Sequence, residues 1–166
     1  GTLKPTYDAS FGTPQSIEVA AGATLDASAM TLPVSPATSG DNIFVDGTIA
    51  GNVSVKGTLS GTGQITGNVT GQALSSIDPG FDGTLHILGN LSLLPTSGIY
   101  FEIGGTVAEQ DYNRIRVTGA VDLGGEFHAN SSAASFPLGF AGTLVLILND
   151  GSDPITPATL YPEGSP

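Results

Sequence analysis

Gly47-Thr48-Ile49-Ala50-Gly51 returns as Gly57-Thr58-Leu59-Ser60-Gly61 and again as Gly67-Asn68-Val69-Thr70-Gly71. Val55 and Ile65 hold the same register between these units, and apolar residues alternate with small polar ones, as in Asn52-Val53-Ser54-Val55-Lys56. A period of two predicts short strands with one buried face. The glycines fall between strands, where the chain turns through positive φ or passes close to a neighbour. A hairpin meander needs no self-similarity, whereas stacked coils place equivalent residues above one another and select for it. The spacing therefore predicts an all-β chain forming a short parallel β-solenoid, with an antiparallel β-sandwich as the alternative. Circuits of ~20 residues, with strands ~4.8 Å apart, would give a rod of roughly 40 Å. Gly47, Gly57 and Gly67 should hold its corners, and Ile49, Leu59 and Val69 its interior.

The pattern continues less strictly on both sides. Residues 1–46 read as a less regular start, with a Pro-rich loop over 31–42 that contains Pro33 and Pro36. Residues 47–150 form the repeat core of a single domain covering 1–166. Ile99-Tyr100-Phe101-Glu102-Ile103 reads as a strand with one strongly apolar face. Leu144-Val145-Leu146-Ile147-Leu148 reads as a strand buried on both faces. The Pro-rich tail over 151–166 should lack regular structure.

Composition removes several function classes. The 166 residues include 15 acidic side chains against four Lys and Arg, for a net charge of −11. So few cations cannot neutralise a phosphate backbone, which argues against nucleic acid as a partner. No apolar run reaches the ~18 residues of a membrane helix, so membrane insertion is not expected. Charged residues are 11% of the chain, too few to furnish helix surfaces. With no Cys, disulfides and thiolate metal sites are excluded.

Four boxes carry a family resemblance across residues 47–165. Asp78-Pro79-Gly80-Phe81-Asp82-Gly83-Thr84-Leu85 with Gly89-Asn90-Leu91-Ser92-Leu93 resembles the strand repeat of bacterial autotransporter passengers and related surface proteins. Tyr100-Phe101-Glu102-Ile103-Gly104-Gly105-Thr106 is similar to their strand and turn, and Asp111-Tyr112-Asn113-Arg114-Ile115-Arg116-Val117-Thr118-Gly119 to their next box. Asn149-Asp150-Gly151-Ser152-Asp153-Pro154 and Pro162-Glu163-Gly164-Ser165 resemble their closing segment. The resemblance implies a right-handed parallel β-helix, export to the cell surface, and a structural or adhesive role without catalytic residues. Asn113 stands where the family has Asp, which weakens any metal role there. The family continues with further strands where this chain ends at Pro166, implying a fragment or a coil completed by something else.

Candidate sites are few. His86 and His128 are the only histidines, both at alternating strand positions that read as surface-facing. Glu102, Glu126 and Asp122 are the carboxylates that could form a glycosidase-like pair, but Arg114 and Arg116 are the only cations near them, so no enzyme is expected. Asn149, Asp150 and Asp153 cluster on a Gly-containing turn, and Asp78 with Asp82 marks a second. Such hard oxygen donors suit Ca²⁺, and the same residue types are common turn formers. Asn52, Asn68, Asn90 and Asn130 head Asn-x-Ser/Thr sequons, and outward Asn at stacked positions would form a hydrogen-bonded ladder.

These readings converge on a secreted or cell-surface structural or adhesive module. It would self-associate, adjoin repeats of the same surface protein, or meet a glycan or host-cell surface. A filament subunit is one form of it, and a polysaccharide-binding or polysaccharide-cleaving protein on the same scaffold is the alternative.

Overall fold

Alternation becomes architecture in the order in which the chain visits two sheets. The computed structural model describes residues 1–4, 16–34, 42–81, 83–131 and 141–156. Among the described residues all regular structure is strand. A six-stranded sheet holds β2 (Ser16–Val19), β4 (Asn42–Val45), β6 (Thr58–Ser60), β9 (Ser76–Asp78), β12 (Gly98–Ile103) and β15 (Glu126–Ser131). An eleven-stranded sheet holds the others. One of its rows contains β1 (Thr2–Leu3), the start of β3 (Thr24–Val34) and of β5 (Thr48–Val55), β7 (Gln64–Ile65), β10 (Thr84–Ile87), β13 (Arg114–Val117) and β16 (Ile147–Asn149). Its second row contains the later parts of β3 and β5, then β8 (Val69–Gly71), β11 (Leu91–Leu93), β14 (Val121–Leu123) and β17 (Ile155–Thr156). The chain passes through the smaller sheet once and the larger sheet twice before returning. Every ladder between these strands is parallel, which overturns the antiparallel sandwich alternative.

In-register pairing turns the alternation into columns of buried side chains. Ile17, Ile43, Leu59, Ile77, Ile99 and Phe127 lie above one another. The four inner members are fully buried, whereas Ile17 and Phe127 at the two ends are only partly covered. Leu25, Ile49, Ile65, Ile87 and Val117 form a second column, and Val53, Val69, Leu91 and Val121 a third. Six layers at ~4.8 Å place the outer strands of the smaller sheet about 24 Å apart. That is shorter than the rod expected from the sequence.

The difference comes from circuit length. The stacked corners Asn52, Asn68, Asn90 and Ala120 are separated by 16, 22 and 30 residues. The ten-residue repeat is therefore not the stacking unit. Its three copies fall on β5, β6 and β8, in three different rows. Each copy supplies a strand and a corner, and the circuit closes on its own geometry.

Three further expectations are corrected. Thr31–Val34 is not loop but the last part of β3, paired in register with Asn52–Val55. Pro33 is tolerated because this part of β3 is the outermost strand of its row among the described residues, where a missing N–H costs no ladder bond; positions 35–41 lie outside the described residues. Within Leu144–Leu148 only Ile147 and Leu148 are strand, and Val145 is 43% and Leu148 36% exposed. This segment forms the last layer, so nothing described covers its outer face. In the Pro-rich tail, Ile155–Thr156 pairs with Val121–Asp122 as β17, and positions 157–166 lie outside the described residues.

Candidate functional site

The corners between the two rows of the larger sheet carry a side-chain ladder. Asn52 Oδ1 accepts the backbone N–H of Asn68 at 2.8 Å, and Asn68 Oδ1 that of Asn90 at 2.9 Å. Asn90 Oδ1 then accepts the N–H of Ala120 at 2.9 Å, where the asparagines end. Asp46 Oδ1 receives Thr62 N in the same way at a neighbouring corner. An axial backbone donor that no strand can reach is thus satisfied one layer below, which explains three of the four sequons structurally. Asn68→Ala leaves the Asn90 N–H without its acceptor and should cost about 1 kcal/mol, the usual worth of one partly exposed hydrogen bond. Urea unfolding checks it, with Asn130→Ala, an exposed residue of β15, as a near-neutral control.

The Asn149–Asp153 turn follows β16 and is mostly exposed. Asn149 Nδ2 donates to Gly119 O at 2.9 Å, and its Oδ1 accepts Gly151 N at 3.0 Å. Asp150 Oδ1 accepts both Ser152 Oγ at 2.7 Å and Ser152 N at 3.0 Å. The Ser152 hydroxyl, then its N–H, hold the Asp150 carboxyl below its ordinary range. Ser152 Oγ also lies 3.3 Å from Asp153 Oδ2. Among the described residues no group of three His, Asp or Glu is placed to hold a metal. Asp78 Oδ1 likewise accepts Gly80 N at 3.0 Å, and Asp82 lies outside the described residues.

The three carboxylates singled out for catalysis are not brought together. Glu126 pairs in register with Gly98, and Glu102 with Asn130. Four strand positions separate the two acids, about 13 Å along the strand. Asp122 belongs to β14 in the other sheet. His128 stacks on Tyr100 with ring centroids 4.4 Å apart and bonds to Glu126 Oε2 at 3.1 Å. Tyr100 in turn leans over Gly98, where any Cβ would stand 2.7 Å from its ring. His86 faces outward between Gln64 and Arg116 on adjacent strands.

Residues 104–113 leave the stack as an excursion whose anchors the sequence does not advertise. Asp111 Oδ2 accepts Thr106 N and Val107 N at 3.0 and 2.9 Å. Asn113 is fully buried; its Oδ1 accepts Glu102 N at 3.0 Å, and its Nδ2 donates to Gly80 O. Aspartate could not supply that donor, so Asn at this position has a structural reason. Glu109 accepts from the Thr84 hydroxyl at 2.8 Å and from Arg114, and these two partners lower its pKa in that order. The only signal for these roles is the tight cluster of Gly, Asp and Asn around Tyr112.

At the other end, Lys4 pairs with Asp26 at 2.8 Å. With the Ser28 hydroxyl and N–H, this contact pulls the Asp26 pKa down to about 2. A carboxylate depressed by folding adds stability above its unfolded pKa and loses it as pH falls through the folded value. The stabilising effect of Asp26 relative to Asp26→Asn should therefore fade between roughly pH 4 and pH 2. Urea midpoints of the two proteins across that window measure it. Beside this ion pair a cavity of about 410 Å³ opens on the first layer, lined by residues 1–3, 17–19 and 23–25.

Compared with protein-family models, curated proteins and solved structures, the chain matches none. No helix among the described residues is long and apolar enough to cross a membrane.

Proposed function

We propose that this chain is a right-handed parallel β-helix serving as an extracellular structural or adhesive surface module, of the kind its autotransporter-like boxes resemble. The observation that carries this reading is the investment of its polar side chains. Asn52, Asn68, Asn90, Asn113 and Asp111 are all spent on joining layers and closing turns. The candidate acids of a polysaccharide-cleaving site stand about 13 Å apart or on different sheets. A rod built this way acts passively, by length, rigidity and the surface it presents.

The test is binding without turnover. The purified chain, immobilised and offered carboxylated and neutral polysaccharides and bacterial or host-cell surfaces, should retain ligands or cells without shortening any polymer. Cleavage of a pectin- or alginate-like polymer that disappears in Glu102→Gln would overturn the reading.

Calcium at Asn149, Asp150 and Asp153 is tested separately. The turn's own hydrogen bonds account for these residue types, so melting temperatures in millimolar calcium and in chelator should agree within about 1 °C. A rise of several degrees, about 1 kcal/mol or more for a chain of this size, would make the turn a cation site.

A further inference from the structure

We infer that the outer face of the larger sheet at His86 and Arg116 binds an acidic polysaccharide, taking a carboxylate or sulfate of one sugar between the imidazole and the guanidinium. The inference rests on the structural-module reading and names what that module adheres to. The whole chain carries four Lys and Arg against 15 acidic residues. Two of the four, Arg114 and Arg116, alternate with the buried Ile115 and Val117 on β13 and so face outward. His86 of β10 stands beside Arg116 in register. Both residues have a described strand on either side of them, β7 below and β16 above.

The charges around this pair leave it open. Arg114 is committed to Glu109, which also accepts the Thr84 hydroxyl at 2.8 Å. His86 is only the last of the groups that lower the Glu109 carboxyl, after Thr84 and Arg114. Asp150 gives its Oδ1 to the Ser152 hydroxyl and N–H, and Arg116 comes after both among the groups that lower it. Among the described residues no hydrogen bond or ion pair takes the side chain of Arg116, His86 or Gln64. Like charges on adjacent strands repel when the imidazole is protonated. An oxyanion between them reverses that cost by accepting a charge-assisted bond from each. The net charge of −11 opposes a polyanion at long range, but it is screened beyond ~8 Å at physiological salt, so the local pair decides.

The rest of the column suits a sugar chain rather than a lone anion. Gln64, His86, Arg116 and Leu148 follow one another along the stack at ~4.8 Å per layer, close to the rise of one sugar residue in an extended polysaccharide. Gln64 presents an amide, which both donates to and accepts from hydroxyl groups. Leu148 is exposed beyond Arg116, and exposed Leu88 lies two positions along β10 from His86, where its carbonyl receives the Thr118 hydroxyl. Apolar side chains of this kind cover the C–H faces of sugars. A polymer lying along the stack therefore meets, in order, an amide, a cationic pair and an apolar flank.

Binding of polygalacturonate, dextran sulfate and neutral dextran to the immobilised chain tests this. At least one acidic polymer should be retained and dextran should not, and the better of the two acidic polymers names the oxyanion. Arg116→Gln should weaken that binding about tenfold and His86→Gln about threefold, each with an unchanged melting temperature because both side chains lie on the outer face. Lys4→Gln removes the same charge at the first layer, where Lys4 pairs with Asp26, and should leave binding unaltered. Four results would each overturn the inference: no retention of either acidic polymer, dextran held as strongly as polygalacturonate, free galacturonate bound as tightly as its polymer, or equal losses in Lys4→Gln and Arg116→Gln. Any of these leaves the structural module standing. Polymer cleavage that disappears in Glu102→Gln removes the module instead, whatever Arg116→Gln does to binding.

Discussion

Leu59→Asp should abolish cooperative folding. Leu59 is fully buried in β6, between Ile43 on one side and Ile77 on the other. Deleting such a side chain costs about 2–5 kcal/mol through lost burial and the space left behind. Leaving a carboxylate in its place costs several more, because the side chains stacked above and below it, Ile43 and Ile77, are apolar. Domains of this size have roughly 5–15 kcal/mol in total. The expected readout is a far-ultraviolet dichroism spectrum without a β signature and no melting transition. Thr66→Asp, at an exposed corner, should stay within about 0.5 kcal/mol of the parent. A Leu59→Asp protein that melts like the parent would show that the inward register of the smaller sheet is wrong.

Gly67→Ala is expected to cost more than 3 kcal/mol, a large effect for one methyl group. A Cβ at Gly67 would stand 2.3 Å from the carbonyl oxygen of Gly51 and 2.4 Å from its carbon. Both are backbone atoms of the layer below, so no side chain can rotate away. The two layers would have to separate at the corner where the Asn52–Asn68 hydrogen bond joins them. Gly22→Ala is the informative comparison, because Gly22 has φ +76° with nothing within 4 Å of its Cβ position. There the cost is only that of a left-handed residue, about 1–2 kcal/mol. Denaturant unfolding should rank Gly67→Ala well below Gly22→Ala, and the reverse order would contradict the stacked corner.

The inward set was legible from alternation alone. Ile49, Leu59 and Val69, chosen on period and spacing, are all fully buried. Parallel stacking followed from self-similarity, although the repeat that suggested it does not stack on itself. The sequons already suggested an asparagine ladder; aligning Gly51-Asn52, Gly67-Asn68 and Gly89-Asn90 at unequal spacings picks out its three members and leaves out Asn130. Pro33 misled because proline argues against a strand only where its N–H is needed. The apolar run Leu144–Leu148 misled because burial depends on what lies above a layer, and no run of letters reports that. Asn113 looked like a weakened ligand and is a buried clamp between β12 and Gly80.

The sequence by itself determined which residues alternate, where glycine is needed, and that four Lys and Arg stand against 15 acidic side chains. These are local properties, set by side-chain size, backbone freedom and composition over a few neighbours. Only the tertiary structure decided which residue lies above which, and so which asparagines meet and which strands are left at the ends. The reason is that circuits of 16, 22 and 30 residues absorb their differences in excursions such as 104–113. Register is then fixed by closure of the whole circuit against the layer beneath, and no single segment of the chain contains that condition.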